Sequence, residues 1–179
     1  MASYFERILD ARDDPELRSL YADIVKKGFG SEVPLNWFTA QGARPDILGA
    51  TWNFTKAVLL QGQLPPTIKQ MIIVKVATLN QCRYCATVHT NALVAMGVPT
   101  EIIDSITTDL ELTKVPPPQR AILEFAVKVA QQPKSVTDAD FDRLRELGLS
   151  EGEMMEVAIM GAFANFVNTW ADVSAIPID

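Results

Sequence analysis

From Pro15 to Ser174 the apolar residues of this chain recur three and four positions apart, segment after segment, which is the spacing of helices with one buried face. Pro15 to Lys27 brings Leu17, Leu20, Tyr21, Ile24 and Val25 together, and Gly28 and Gly30 stop it. Ile47, Leu48, Trp52, Thr55, Val58 and Leu59 keep the period from Pro45 to Leu60. Pro65-Pro66 opens a helix to about Leu79. Its stretch from Met71 to Val76 is β-branched enough for a buried strand, but proline suits a first helical turn and no partner strand exists elsewhere. Gln81 to Met96 follows, closed by Gly97, and then a short helix over Pro99 to Ile106. Pro116-Pro117-Pro118 reads as a stiff connector before a helix over Gln119 to Ala130. Thr137 with Asp140 caps a helix carrying Phe141, Leu144 and Leu147, and Ser150-x-x-Glu153 is a capping box that opens a last helix to about Ser174. That last helix is apolar almost all round, a pattern that belongs at the centre of a core or at a subunit interface. The expected fold class is all-α, with about seven or eight helices in one domain over residues 1–179. Residues up to about 43, ending at a loop of Gly42, Ala43 and Arg44, form an N-terminal helical arm.

Composition narrows the function. Of 179 residues 48% are apolar, enough for a sizeable core. The net charge of −6 repels phosphate backbones and anionic lipid surfaces, which excludes a general nucleic-acid binder. The N-terminus has no secretory pattern, and the most apolar run, Met71 to Leu79, is interrupted by Lys75 and is far short of the ~18 residues of a membrane span. A cytoplasmic protein without a membrane segment is expected.

The rare residues converge. Cys82 and Cys85 are the only cysteines and His89 the only histidine, all within eight residues. On a helix turning ~100° per residue, Cys85 and His89 stack four apart and Cys82 lies ~20° from His89 in projection. The i, i+3 spacing puts the two cysteine Cα atoms ~5–6 Å apart, within reach of a disulfide. A helix N-terminus, Arg83 and His89 as a base can all lower a thiol pKa, and a thiolate oxidised to sulfenic acid can condense with its neighbour. Peroxide reduction or thiol–disulfide exchange follows from that chemistry. Zinc is a rival, although two cysteines and one histidine fall one ligand short of a closed site. The cysteines can also be small buried hydrophobes and His89 a satisfied core residue. A thioredoxin-type CxxC requires a βαβ frame that this sequence does not offer.

At these residues the chain resembles the alkylhydroperoxidase AhpD-like, carboxymuconolactone decarboxylase superfamily. The resemblance runs from Leu64 to Ile106, about a quarter of the chain, through Gln70 to Asn80, Cys82-x2-Cys85-x3-His89 and Gly97-Val98-Pro99-Thr100-Glu101-Ile102. It implies an AhpD-like helical bundle that assembles as a homo-oligomer, with no cofactor and no metal. It further implies reduction of small organic hydroperoxides with electrons from a lipoylated or thioredoxin-like protein. Cys85 would then be the peroxidatic cysteine, Cys82 the proton donor and resolving partner, and His89 the assistant base. Two positions depart from the family pattern. Gln70 stands where the proton relay has a glutamate, so it can orient His89 but cannot take a proton, leaving Glu156 or Asp172 of the last helix as substitutes. Tyr84 stands where some members have a histidine, which removes a cation beside the thiols. Asn165, Asn168 and Asp172 form one stripe of the last helix, which either cross-links neighbouring helices or faces the cysteines. A decarboxylase-like lyase on the same fold needs anion-binding groups, for which Arg44, Arg83 and Lys75 are the candidates.

Overall fold

The computed structural model describes residues 3–28, 30–108, 112 and 114–179, and among them there are nine α-helices and no strand. Helix α1 spans Pro15–Lys27, with Asp14 Oδ1 accepting the Leu17 N–H at 2.9 Å and Leu17, Tyr21 and Ile24 buried. A four-residue helix α2, Asn36–Thr39, was not apparent from periodicity because one turn is too short to show a period; it buries Trp37 and Phe38. The segment expected to be one helix from Pro45 to Leu60 is divided. Helix α3 runs over Pro45–Thr55 and continues as a π-helical stretch, Lys56–Leu60. At the junction the hydroxyls of Thr51 and Thr55 donate back to the carbonyls of Leu48 and Thr51, which competes with the regular backbone ladder.

Helix α4, Pro66–Leu79, is the centre of the molecule: every residue from Ile68 to Ala77 is buried. The β-branched run is therefore helical, and its character reflects burial on all sides. Helix α5 begins at Arg83 and ends at Ala95, two residues later than the expected start at Gln81. Gln81 has φ of 60°, a left-handed turn incompatible with a helical residue, and the Cys82 N–H returns to the Ala77 carbonyl at 2.9 Å. Cys82 is thus the N-cap of α5 rather than part of it. Helix α6 spans Thr100–Thr108, α7 Pro117–Gln131, α8 Asp138–Glu146 and α9 Glu151–Ser174. The proline connector joins α7, since a proline in the first turn lacks only an N–H that would have no helical partner. The capping box at Ser150 and Glu153 forms as the sequence indicates: Glu153 Oε2 accepts the Ser150 N–H at 2.8 Å and Ser150 Oγ accepts the Glu153 N–H at 3.2 Å.

Helices α7 and α9 pack on α4, and α9 crosses α7 at Gly161, where a Cβ would stand 2.5 Å from the Ala126 carbonyl. Helix α9 is not wholly enclosed: Met155, Phe166 and Val173 are exposed, so the central place belongs to α4. Near the start of α9, Glu156 forms an ion pair with the buried Lys69, and its Oε2 accepts the N–H groups of Gln63 and Leu64 at 2.8 and 3.2 Å. Lys69 also donates to the carbonyls of Val58 and Gln61, which ties the π-helical stretch to α4. Burial works to raise the Glu156 pKa, but the hydrogen bonds from Lys69, Gln63 and Leu64 outweigh it and hold the carboxyl low. Among the described residues no helix is long and apolar enough to cross a membrane.

Candidate functional site

The α4–α5 turn and the first two turns of α5 place Cys82, Cys85 and His89 together. Both cysteines are free thiols, 0% and 1% exposed. Cys82 donates to the Asn168 carbonyl of α9 at 3.8 Å. Cys85 is the thiol held protonated: its neighbour Cys82 first, then burial and the charge of Asp172, push its pKa far above the ordinary thiol range. The expectation that the helix terminus, Arg83 and His89 lower the thiol pKa is therefore reversed for Cys85. Arg83 is exposed and His89 uncharged, so neither supplies a cation against the desolvation that encloses the sulfur.

His89 is buried, and burial lowers its pKa to about 4. Its Nδ1 lies 2.6 Å from Gln70 Oε1. An amide oxygen only accepts, so with Gln70 in this orientation Nδ1 carries the proton and Nε2 the free lone pair. Gln70 reaches His89 from α4, as its position in the sequence pattern suggests. Cys85 and His89 border one cavity of about 40 Å³, whose walls include Leu35, Trp37, Tyr84 and Val88. That is room for a few water-sized groups in an apolar setting.

The Tyr84 hydroxyl is engaged by groups other than the thiols. It donates to Asp179 Oδ2 at 2.5 Å and accepts the Trp37 N–H at 3.3 Å. Burial, with the Asp179 carboxylate second, pushes its phenol well above the usual range, so Tyr84 stays neutral. The remaining candidates separate. Glu156 is committed to Lys69 and to the loop before α4, so it does not serve as a relay. Asp172 is the carboxylate whose charge reaches Cys85. Asn165 cross-links helices, donating to the Ala130 carbonyl and accepting from Asn80. Asn168 is buried beside Cys82 with neither side-chain polar atom hydrogen-bonded among the described residues. Arg44 pairs with Asp46 on the surface, Arg83 borders an outer hollow, and Lys75 is buried with Nζ 3.3 Å from the Ile106 carbonyl. They do not form an anion-binding cluster. Among the described residues no group of three or more His, Cys, Asp or Glu side chains is placed to hold a metal ion.

Periodicity and motif reading missed the far wall of the cavity. Leu35, Trp37 and Phe38 come from the N-terminal segment and Leu59 from the π-helical stretch. The one signal was the aromatic pair Trp37-Phe38 between Pro34 and Gly42, too short to have a period.

Residues 45–113 match the model of the Carboxymuconolactone decarboxylase family. The fold superposes on a crystal structure described as an alkylhydroperoxidase AhpD core, an uncharacterized peroxidase-related protein from Ralstonia eutropha JMP134. The TM-score is 0.88 and the identity 26%, over 100% of this chain and 93% of that one. An uncharacterized peroxidase-related protein from Silicibacter sp. TM1040 gives a TM-score of 0.85 at 20% identity, over 99% of this chain and 92% of that one. A cysteine-to-alanine variant of the debrominase Bmp8 in complex with 2,3,4-tribromopyrrole gives 0.80 at 20% identity, over 99% and 94%. The last two establish likeness of fold alone, and together they show one fold carrying differently named activities. No curated protein sequence matches. The all-α, AhpD-like architecture expected from the sequence is thus the one observed.

Proposed function

This chain belongs to the AhpD-like, carboxymuconolactone decarboxylase superfamily, and from that membership we propose that it is a thiol-dependent hydroperoxide reductase of the cytoplasm. The observation that carries the reading is the pair of buried free thiols, with Cys85 lining one cavity together with an uncharged His89 whose Nδ1 is held by Gln70. Nε2 of His89 takes the Cys85 proton as a hydroperoxide enters the cavity. The Cys85 thiolate attacks the terminal peroxide oxygen, the O–O bond breaks, and the alcohol leaves with that proton. Cys85 is then a sulfenic acid. The Cys82 thiol condenses with it: an S–S bond forms, the S–O bond breaks and water departs. A dithiol carried by a lipoylated or thioredoxin-like protein exchanges with the disulfide, supplying two electrons and two protons. Gln70 orients the imidazole but accepts no proton, so the high Cys85 pKa sets the pace and turnover rises with pH.

Consumption of cumene hydroperoxide in the presence of dihydrolipoamide tests the reading. Cys85→Ser abolishes turnover and Cys82→Ser retains only slow, unresolved reduction; full activity in Cys85→Ser refutes it. We assign a homo-oligomer to this chain as well, supported by a hollow of about 310 Å³ walled by Phe5, Ile47, Phe166 and Trp170, three of them exposed. Light scattering that finds only the monomer contradicts that assignment.

A further inference from the structure

Cys85 is 1% exposed, so something must move before any reagent larger than the cavity meets its sulfur. The candidate is the segment after α9. Ala175 has φ of 50°, an uncommon left-handed conformation for a residue with a side chain, and it turns the chain back across α5. Residues 177–179 are exposed and held mainly by polar contacts. The Asp179 carboxylate accepts the Asn36 N–H at 2.7 Å and the Tyr84 hydroxyl at 2.5 Å, and the Asn36 side chain donates to the Pro177 carbonyl at 3.1 Å.

The surrounding hollows define what this segment closes. Tyr84 is a wall shared by the Cys85 cavity and an outer hollow of about 440 Å³ that Ile176, Pro177 and Ile178 also line. On the opposite side, Leu35, Val88 and His89 are shared by the cavity and a second hollow of about 270 Å³ that reaches Ile178 and Asp179. The segment therefore borders both outer hollows, each of which shares wall residues with the Cys85 cavity, and the Asp179 side chain ties Tyr84 of that shared wall to Asn36 at the start of α2.

We propose that residues 175–179 are a gate over the cysteine pair, latched by Asp179 across Tyr84 and Asn36, that selects by size what reaches Cys85. The latched gate admits reagents up to the size of iodoacetamide or an organic hydroperoxide and excludes one as large as a maleimide-linked dye until it opens. The inference deepens the thiol-site reading above but does not need peroxidase activity to be tested.

The test is alkylation of Cys85 in the full chain carrying Cys82→Ser, with iodoacetamide as the small reagent and a maleimide-linked dye as the large one. Asp179→Ala, at an exposed position, removes both hydrogen bonds to the carboxylate and raises the rate with the dye by roughly tenfold or more. It leaves the iodoacetamide rate within about twofold, because pH and thiol are the same. Tyr84→Phe, which keeps the ring and removes the latch hydroxyl, shows the same selective gain. Hydrogen exchange of the Asn36 amide accelerates in Asp179→Ala. Equal acceleration with both reagents marks a charge effect on the thiol and overturns the gate, as does an unchanged dye rate. Failure to consume peroxide sinks the functional reading alone, since alkylation reads access in either case.

Discussion

His89 offers a prediction whose size follows from its burial. Its pKa is about 4 in the folded protein, against an ordinary value of ~6.5 in an unfolded chain. At 1.36 kcal/mol per unit the difference amounts to about 3 kcal/mol. The native state prefers the neutral ring, so as pH falls the unfolded chain binds a proton first, and the native state lags until about pH 4. The stability associated with neutral His89 is therefore complete above ~6.5 and is lost as pH falls through that window. His89→Gln removes the titration. Urea unfolding of both proteins at a series of pH values cancels the carboxylates they share, and the wild-type curve falls relative to the variant by about 3 kcal/mol between neutral pH and pH 4. Because the chain has one histidine, its ring C2 proton is a single NMR resonance that needs no assignment. It holds its shift from pH 8 to roughly 5.5 in the folded protein. A midpoint near 6.5, or parallel stability curves, refutes the burial argument. Gln70→Glu adds the opposite control: a carboxylate facing Nδ1 raises the His89 midpoint by about one to three units.

Three further outcomes follow from the packing and the thiols. Glu156→Ala strands the Lys69 ammonium, 1% exposed, without a counter-charge and costs about 3–5 kcal/mol in chemical denaturation, whereas Lys69→Met with Glu156→Leu costs less. Gly161→Ala pushes a methyl against the Ala126 carbonyl, whose backbone cannot swing aside, and lowers stability by about 1–3 kcal/mol, read as a drop in Tm. Alkylation of Cys85 by iodoacetamide is slow at neutral pH and still climbing at roughly pH 9, because only the thiolate reacts; a plateau below the pKa of a free thiol contradicts the protonated state assigned to it.

Much of the fold was legible because helices announce themselves locally. The stripes of α1 and α7, the prolines opening α3 and α4, and the capping box at Ser150 each depend on residues a few positions apart. What escaped was set at a distance or by a single turn. Gln81 carries no mark of its left-handed backbone, so the helix start slipped by two residues and Cys82 was placed on the helix face instead of at its cap. The π-helical stretch and α2 have no period of their own. At the site, the spacing of Cys82, Cys85 and His89 anticipated their meeting, and Gln70 anticipated the partner of His89. The sign of the Cys85 pKa shift was not anticipated: beyond the neighbouring Cys82, it comes from burial in a cavity walled by side chains from residues 35–38 and 163–167, more than forty positions away, and from the charge of Asp172. The bond between Tyr84 and Asp179, ninety-five residues apart, has no local signature at all.

The central claim is that Cys85 is oxidised by a hydroperoxide and resolved by Cys82. Intact mass of the reduced protein, taken before and after one equivalent of cumene hydroperoxide, tests it directly. The wild type loses two hydrogens as the disulfide forms, and Cys82→Ser instead gains one oxygen that dimedone captures at Cys85. Unchanged thiols in the wild type, or oxidation that persists in Cys85→Ser at the same rate, contradict the claim.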